Sequence, residues 1–415
     1  MYIYINNFFF FFFFLCSLCF SQIKTQQDLQ SAKPPLVFFS DDTILAVPFS
    51  SNNINFLTKH PISSWYNFKS NKIDFENYIS NNNHLEIFTF IDNNIFSYGY
   101  PKKNGYIHIG LSHHIYANME LKNNLLNLIW NGNSEYLNQS VNFSGNTLSL
   151  LQYTSLYLQY SFNLNQLKIG ARLNFLHGIN NFNLRKSFFN LNSVNNLETP
   201  FSTYISTDIY ARSGSAKLIG FSNPGLSIDY SVNYNLSKFD FSLSFENIGF
   251  IFFNKNAFHH SSNTNYLFNG FNYSMDQIIS EEIENTLDTL SNTFAIGNNI
   301  EDSYVRRLPL NFSMESSFET NLNSDIFISI QCFEQIDSDD KLSFFNMYYF
   351  GYSRKINENI LMTSSYNYNK YSPINLNLGV IFNYNNLRVK LNANNLTAIL
   401  GGRYYHLSTA IFYIF

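Results

Sequence analysis

The chain has 415 residues, of which 13% are charged, and its formal net charge at pH 7 is −4. The charged fraction is about half that of an average soluble domain, and the net charge offers no basic surface for nucleic acid. Aromatic residues make up 18% of the chain. Disordered chains are rich in charge and poor in aromatic residues, so this composition excludes a disordered chain. This composition favours a folded protein that exposes a large apolar surface.

The N-terminal segment, residues 1–21, has the pattern of a secretory signal peptide. A run of seven Phe residues is followed by further apolar residues and a small serine. This order predicts export and cleavage before Gln22. Two of the three cysteines lie in the segment to be removed, so Cys332 stays as a single thiol and no internal disulfide is predicted.

Apolar and polar residues alternate along most of the remaining chain. Leu156, Leu158 and Tyr160, for example, alternate with Tyr157 and Gln159. A period of two residues predicts strands with one apolar and one polar face. The predicted strands are 47–57, 87–100, 105–117, 150–163, 166–178, 226–236, 238–251, 306–319, 324–334, 342–354, 358–368, 373–384, 387–396 and 404–415.

The connections between these strands separate two possible folds. A soluble sandwich buries the apolar faces between two sheets, whereas a transmembrane barrel turns them to lipid. Counted from the C-terminus, short turns alternate with longer loops, as outer-membrane barrels require. We therefore predict an all-β fold, a transmembrane antiparallel β-barrel of about 14 strands. The longest loops are 58–86, 118–149, 179–225 and 252–305.

Two details of the long loops remain open. A further strand pair near 181–191 and 201–210 would raise the count to about 16 and keep it even. Apolar residues at helical spacing predict short helices in 119–130 and 275–294.

The C-terminal strand ends in a recognisable pattern. Ile411, Tyr413 and Phe415 lie on one face, and the last residue is aromatic. This pattern resembles the C-terminal signal by which outer-membrane barrels are recognised for insertion. We therefore predict that residues 22–415 form one barrel in the cell outer membrane. Its expected partners are outer-membrane lipid and the barrel insertion machinery, and no nucleic acid.

Charged residues on the polar faces are candidates for the barrel lumen. One interpretation is a satisfied network of ion pairs and amides that fills the lumen, and the other is a lining that selects solutes by charge. Under the second, Arg172→Ala and Lys390→Ala would leave folding intact. The candidate residues are Lys168, Arg172, Asp229, Asp240, Glu246, Arg388 and Lys390.

No motif predicts catalysis, a cofactor or a metal site. The sequence contains neither a phosphate loop nor a G-x-S-x-G nucleophile elbow. The adjacent pairs His113–His114 and His259–His260 fall on strands, where neighbouring side chains point to opposite faces, so neither pair predicts two ligands for one metal. The chain is therefore predicted not to be an enzyme.

Seven short segments of the chain carry a further pattern, namely 169–173, 176–178, 225–230, 247–251, 268–270, 308–310 and 394–396. In this order and spacing they resemble an uncharacterised family of outer-membrane barrels typical of Bacteroidota. The family is of the kind named only as a domain of unknown function, and it is similar in plan to long-chain fatty-acid transporters. The resemblance implies a barrel in the outer membrane and supplies no activity. Asn247 and Asn394 stand where the family has Asp, and Phe252 stands where it has Trp.

Two functions follow from this interpretation. The first is passive transport of small or hydrophobic solutes across the outer membrane. The alternative is a non-conducting barrel that serves as an anchor or assembly partner for surface export, which a lumen packed by large inward residues such as Tyr157 would suit. An outer-membrane enzyme is a third class that no motif supports.

Overall fold

The computed structural model consists mainly of β-strands. Within the described residues it contains one α-helix, and no helix there is long and apolar enough to cross a membrane. The predicted signal peptide and the helix predicted in 275–294 lie outside the described residues. The described residues are 43–46, 51–58, 66–67, 72–73, 84–131, 136–194, 202–218, 220, 222–268, 298–321, 323–336, 342–370, 375–394, 396 and 404–415.

The strands and the helix are numbered in chain order. They are β1 Ile44–Ala46, β2 Ser51–Thr58, β3 Tyr66–Asn67, β4 Lys72–Ile73, β5 His84–Lys102, β6 Gly105–Lys122, α1 Asn123–Asn131, β7 Ser140–Asn142, β8 Thr147–Leu164, β9 Leu167–Val194, β10 Ser202–Ser215, β11 Pro224–Leu236, β12 Phe239–Phe253, β13 Phe258–Phe268, β14 Asn298–Glu301, β15 Tyr304–Arg307, β16 Asn311–Asn321, β17 Ser324–Ile336, β18 Leu342–Asn357, β19 Ile360–Asn369, β20 Asn375–Tyr384, β21 Leu387–Asn394 and β22 Tyr404–Ile414.

The wall is a closed antiparallel barrel of 14 strand positions, which confirms the predicted fold. β1 and β2 share the first position and pair with β22 on one side and β5 on the other, so no open edge is left in the wall. β15 and β16 share the eighth position, beside β12. Closure satisfies the backbone hydrogen bonds that lipid cannot. The order is β1/β2, β5, β6, β8, β9, β11, β12, β15/β16, β17, β18, β19, β20, β21 and β22.

The two faces of the wall differ as the alternation predicts. On β8, Leu158 is 51% exposed, whereas its neighbours Tyr157 and Gln159 are 1% and 0% exposed. The exposed side chains of the wall are mainly Leu, Ile, Phe and Tyr, and a continuous apolar surface of this kind requires lipid around it. The chain is therefore a transmembrane β-barrel whose polar faces point inwards.

The two ends of the barrel are unlike each other. At one end, called the short-turn end, successive strands are joined by turns such as Asn165–Gln166 and Asn385–Asn386. Asn165 and Asn385 have positive φ of 58° and 48°, a conformation that asparagine tolerates in tight hairpins. At the other end, called the loop end, the connections in the first part of the chain are long, whereas β17–β18, β19–β20 and β21–β22 are joined by shorter links.

A sheet extension rises from the wall at the loop end. β9 pairs with β11 only up to His177, opposite Pro224, and from Asn180 onwards it pairs with β10 instead. β10 then pairs with β13, and β13 with β14. The strand pair considered near 181–191 and 201–210 therefore exists, but it lies beyond the barrel, and the wall stays at 14 strands.

The loop between β6 and β8 covers part of this extension. α1 begins inside the predicted helical segment 119–130, at Asn123, and ends one residue beyond it. Its Leu125 and Leu128 pack with Phe143 and Leu191 in a small apolar core. Phe143 is fully buried there, so this loop is a folded part of the protein.

Aromatic side chains on the inner wall lie across glycines of the neighbouring strand. Gly351 on β18 is directly opposite Phe327 on β17. A Cβ atom at 351 would lie 2.2 Å from Cζ of Phe327 and 2.6 Å from Cβ of Ser365. Gly110 and Tyr157 form a second such pair, in which a Cβ would lie 2.3 Å from the phenol oxygen. The missing side chain makes room for the ring.

We expect Gly351→Ala to lower the free energy of unfolding by about 1–3 kcal/mol, because the added methyl group overpacks the inner wall. Phe327→Leu introduced together with Gly351→Ala should recover part of the loss. Ser364→Ala, on the exposed outer face of β19, is the control and should be neutral. Urea unfolding followed by circular dichroism measures all three. An equal loss with and without Phe327→Leu would show that the ring is not the obstacle.

Candidate functional site

The inside of the barrel contains two layers of side chains. The layer towards the loop end, called the apolar layer, is one continuous cluster of buried residues. It crosses the lumen, since the rings of Phe88 on β5 and Phe345 on β18 lie 6.4 Å apart although these strands are not neighbours. Its members are Leu57, Phe88, Phe90, Tyr116, Leu151, Tyr153, Leu176, Ile251, Phe253, Ala257, Tyr304, Leu308, Phe327, Phe345, Met347 and Tyr349.

A polar layer begins beneath it with a buried ion pair. Arg172 on β9 and Asp229 on β11 are opposite each other, with Nη1 and Oδ2 3.4 Å apart, and they are 1% and 0% exposed. Arg172 also donates from Nε and Nη2 to Oε1 of Gln159, at 3.1 and 2.8 Å. Its guanidinium lies over the ring of Tyr157, 5.0 Å from the centroid. Each of the three guanidinium nitrogens therefore has a protein acceptor.

The Asp229 carboxylate also fixes a bulge in the wall. Its Oδ1 accepts from the backbone N–H of Asn247 at 2.7 Å, and its Oδ2 accepts from Nδ2 of Asn174 at 3.0 Å. Asn247 has a φ of 65°, at the point where the register between β11 and β12 shifts. The Asn247 side chain donates to the hydroxyl of Tyr116 at 3.0 Å and so joins the polar layer to the apolar layer.

A second buried network lies on β5 and β6. Nδ1 of His114 is hydrogen-bonded to Asp92 and its Nε2 to the hydroxyl of Ser112 at 2.8 Å, while its ring stacks on Tyr153. The order of groups is that of a serine hydrolase triad. Ser112 is 0% exposed, however, so a substrate carbonyl cannot reach its hydroxyl in this structure. The network holds His114 and Tyr153 in place.

A cavity of about 30 Å³ lies between the two layers. Phe90 and Phe333 line it on the apolar side, and Asp92, Glu246 and His406 are among its polar lining. Its volume suits about two water molecules. The lumen thus holds a small space with polar lining between the two layers.

The structure places the predicted lumen charges at different depths. Arg172 and Asp229 are joined in one ion pair, Glu246 lines the cavity, and Lys390 is 1% exposed on the inner face of β21. Three others lie close to the short-turn end. Among these, Asp240 accepts from Asn235 and Arg388 donates to Asn383, each at 2.6 Å, and Lys168 is half-buried.

The C-terminal residues lie where the insertion signal was predicted. Tyr413 and Phe415 are exposed, and their rings meet edge to face at 4.8 Å. Ile411 lies opposite Val389 and is half-buried. Recognition of these residues by the insertion machinery stays a prediction.

The two histidine pairs follow the alternation of their strands. His114 points into the lumen, whereas His113 on the other face contacts Nε2 of Gln152 at 3.0 Å. His259 and His260 are likewise separated, since their rings bond to Tyr210 and Ser213 on opposite faces of β10. Sequence reasoning did not identify His114 or Asp92 as a buried pair, because that contact depends on the register of β5 against β6.

Fold and lumen together define a transmembrane β-barrel whose inside is filled by an apolar and a polar layer of side chains. The chain belongs to the Family of unknown function (DUF5723), whose model matches residues 41–394, and this match confirms the predicted resemblance to an uncharacterised family. No curated protein matches the chain.

Several solved barrels are similar to the chain at low identity. The toluene transporter TbuX of Ralstonia pickettii is 10% identical, with 91% of this chain and 90% of that chain covered and a TM-score of 0.43. A FadL homologue of Pseudomonas aeruginosa is 11% identical, with the same coverages and a TM-score of 0.43. The toluene transporter TodX of Pseudomonas putida is 8% identical, with 95% and 94% covered and a TM-score of 0.40.

Proposed function

We propose that this protein resides in the outer membrane and admits small hydrophobic solutes by passive diffusion. The observation that carries the proposal is the apolar layer, which fills the lumen from wall to wall at the loop end. Phe90 and Phe333 add a second contact across the lumen, with ring centroids 5.9 Å apart. A site made of aromatic and aliphatic groups binds solutes by burying their apolar surface.

The lumen is unsuited to ions. The apolar layer removes the water that a permeating ion needs, and the Arg172–Asp229 pair beneath it is already satisfied. Entry of a hydrophobic solute into the apolar layer requires that rings such as Phe253 change rotamer and exchange protein contacts for solute contacts.

We expect purified protein in a planar bilayer to show no steady conductance steps of the size of an open porin. The reason is that the two layers of buried side chains interrupt the water column. Heat-modifiable migration on a gel confirms that the sample is folded. Stable conductance in a folded sample would contradict a closed, apolar lumen and would favour a charge-selective pore instead.

Solute influx tests the function itself. Cells that carry the protein in the outer membrane are mixed with N-phenyl-1-naphthylamine, a neutral dye that fluoresces on reaching phospholipid. We expect faster dye influx than in cells with an empty vector. Equal rates in the two strains, with the folded barrel present in the outer membrane, would overturn transport and leave the anchoring function.

A further inference from the structure

A cluster of polar and aromatic side chains lies at the loop end, next to the apolar layer. It is called the mouth cluster and consists of Asn181, Tyr210, Arg212, His259 and Tyr304. Tyr304 is also a member of the apolar layer, and its ring stacks on Phe253 at 5.4 Å. The two sites are therefore continuous. Passage of a neutral solute makes no use of the charge in the mouth cluster.

The guanidinium of Arg212 is held by aromatic rings. Its Cζ lies 5.7 Å from the ring centroid of Tyr210 and 5.5 Å from that of Tyr304. Nε donates to the Tyr210 hydroxyl at 3.1 Å. Within the described part of the chain, no carboxylate lies within ion-pair distance of Arg212. A cation fixed in this way keeps its remaining N–H groups for an external acceptor.

His259 supplies a second donor beside it. Its Nδ1 lies 2.7 Å from the hydroxyl of Tyr210. Because that oxygen accepts from Arg212, its own hydrogen is available to Nδ1, which places the imidazole proton on Nε2. Nε2 is buried and has no hydrogen-bond partner among the described residues. Burial and then the charge of Arg212 lower the pKa of His259, while Asp302 acts in the opposite direction, so we expect a neutral ring.

Tyr304 links these donors to the lumen. Its hydroxyl accepts from Nδ2 of Asn181 at 2.8 Å, which fixes the ring between His259 and Phe253. The His259 and Tyr304 rings meet edge to face at 5.7 Å. Arg212 and His259 are each half-buried, so solvent reaches part of both side chains, whereas Nε2 of His259 is covered and is reached only when a bound group displaces its neighbours. A molecule that contacts both donors therefore lies next to Tyr304, a member of the apolar layer.

We propose that the mouth cluster binds the anionic head group of an amphipathic solute while the apolar part of that solute enters the apolar layer. The proposal rests on the proposed function and adds a substrate class to it, organic anions with an apolar body. Arg212 supplies charge and a planar pair of N–H groups, and His259 supplies a single N–H group from Nε2. Carboxylates and sulfonates have the oxygen geometry that such donors match.

A pair of dyes that differ by one sulfonate group tests the inference. 1-Anilinonaphthalene-8-sulfonate carries the same rings as N-phenyl-1-naphthylamine and adds one sulfonate. We expect Arg212→Met and His259→Phe each to slow influx of the sulfonate about tenfold or more, since each removes a hydrogen bond to a charged group. Influx of the neutral dye should stay unchanged. His260→Phe is the matched control, because His260 bonds to Ser213 on the opposite face.

The outcomes separate the two proposals. Loss of sulfonate influx alone, in folded variants, supports the head-group site. If the wild type admits both dyes and neither variant affects the sulfonate, the mouth cluster has no binding role and transport stands. A matching loss for both dyes in Arg212→Met and His259→Phe would mean that the cluster is structural. If the wild type admits neither dye, both proposals are wrong.

Discussion

Replacing Arg172 by alanine is expected to lower the free energy of unfolding by about 3–5 kcal/mol. The substitution leaves the carboxylate of Asp229, which is 0% exposed, without its cationic partner. It also removes two hydrogen bonds to Gln159. Urea unfolding in detergent, followed by circular dichroism, measures the loss. If Arg172 only lined a pore, Arg172→Ala would leave folding intact. In this structure, however, Arg172 is buried among Asp229, Gln159 and Tyr157.

A second substitution distinguishes the buried charge from the lost packing. Asp229→Asn combined with Arg172→Met removes both charges and keeps an acceptor for the Asn247 backbone N–H, so it should recover most of the stability. Lys186→Ala breaks the exposed pair with Asp208 in the sheet extension and serves as control, with an expected loss below about 1 kcal/mol. Similar losses in Arg172→Ala and the double variant would rule out an uncompensated charge as the cause.

Phe253→Ala is expected to cost about 3–5 kcal/mol as well, through the cavity that it creates. Phe253 is 0% exposed, stacks on Tyr304 and fits against Gly178 and Gly214. The same cavity enlarges the apolar layer, so influx of N-phenyl-1-naphthylamine should rise in cells that carry the variant. Unfolding in urea and dye influx are both measured on Phe253→Ala.

The neighbouring Phe252 is the matched control. It points outwards and is 37% exposed, so detergent or lipid chains replace its contacts after Phe252→Ala. Its expected cost is under about 1.5 kcal/mol, with dye influx unchanged. Equal effects of the two substitutions on stability and influx would show that the apolar layer has no special part in either.

The strand alternation predicts well which side chains point outwards and which point inwards, because each residue on a strand has only two faces to choose from. Leu156, Leu158 and Tyr160 are exposed on the outside, and Tyr157 and Gln159 are buried inside, as the alternation requires. The strand count was predicted by counting connections back from the C-terminus, with the short turns at one end of the barrel and the longer loops at the other. The sheet extension was less predictable, because β9 keeps the same alternation past His177, where it changes partner from β11 to β10.

The candidate site depends on information that no local pattern contains. Arg172 and Asp229 meet although they are 57 residues apart, because the register of β9 against β11 places them opposite each other. Asn247 became part of the site through a bulge and a positive φ. The mouth cluster depends on β10 and β13 lying side by side, so that Arg212 is opposite His259. Composition and period alone indicate that these residues face inwards and do not identify their partners.

The pairs of an aromatic ring and a glycine on the inner wall restrict which amino-acid substitutions the family can tolerate during evolution. In the pairs Gly110–Tyr157 and Gly351–Phe327, the aromatic ring occupies the space that a side chain at the glycine would need. A larger residue at the glycine is tolerated only after the ring has become smaller. Relatives should therefore gain and lose the two residues together. An alignment of the family would show these positions as covarying pairs, even though Gly110 and Tyr157 lie far apart in the chain.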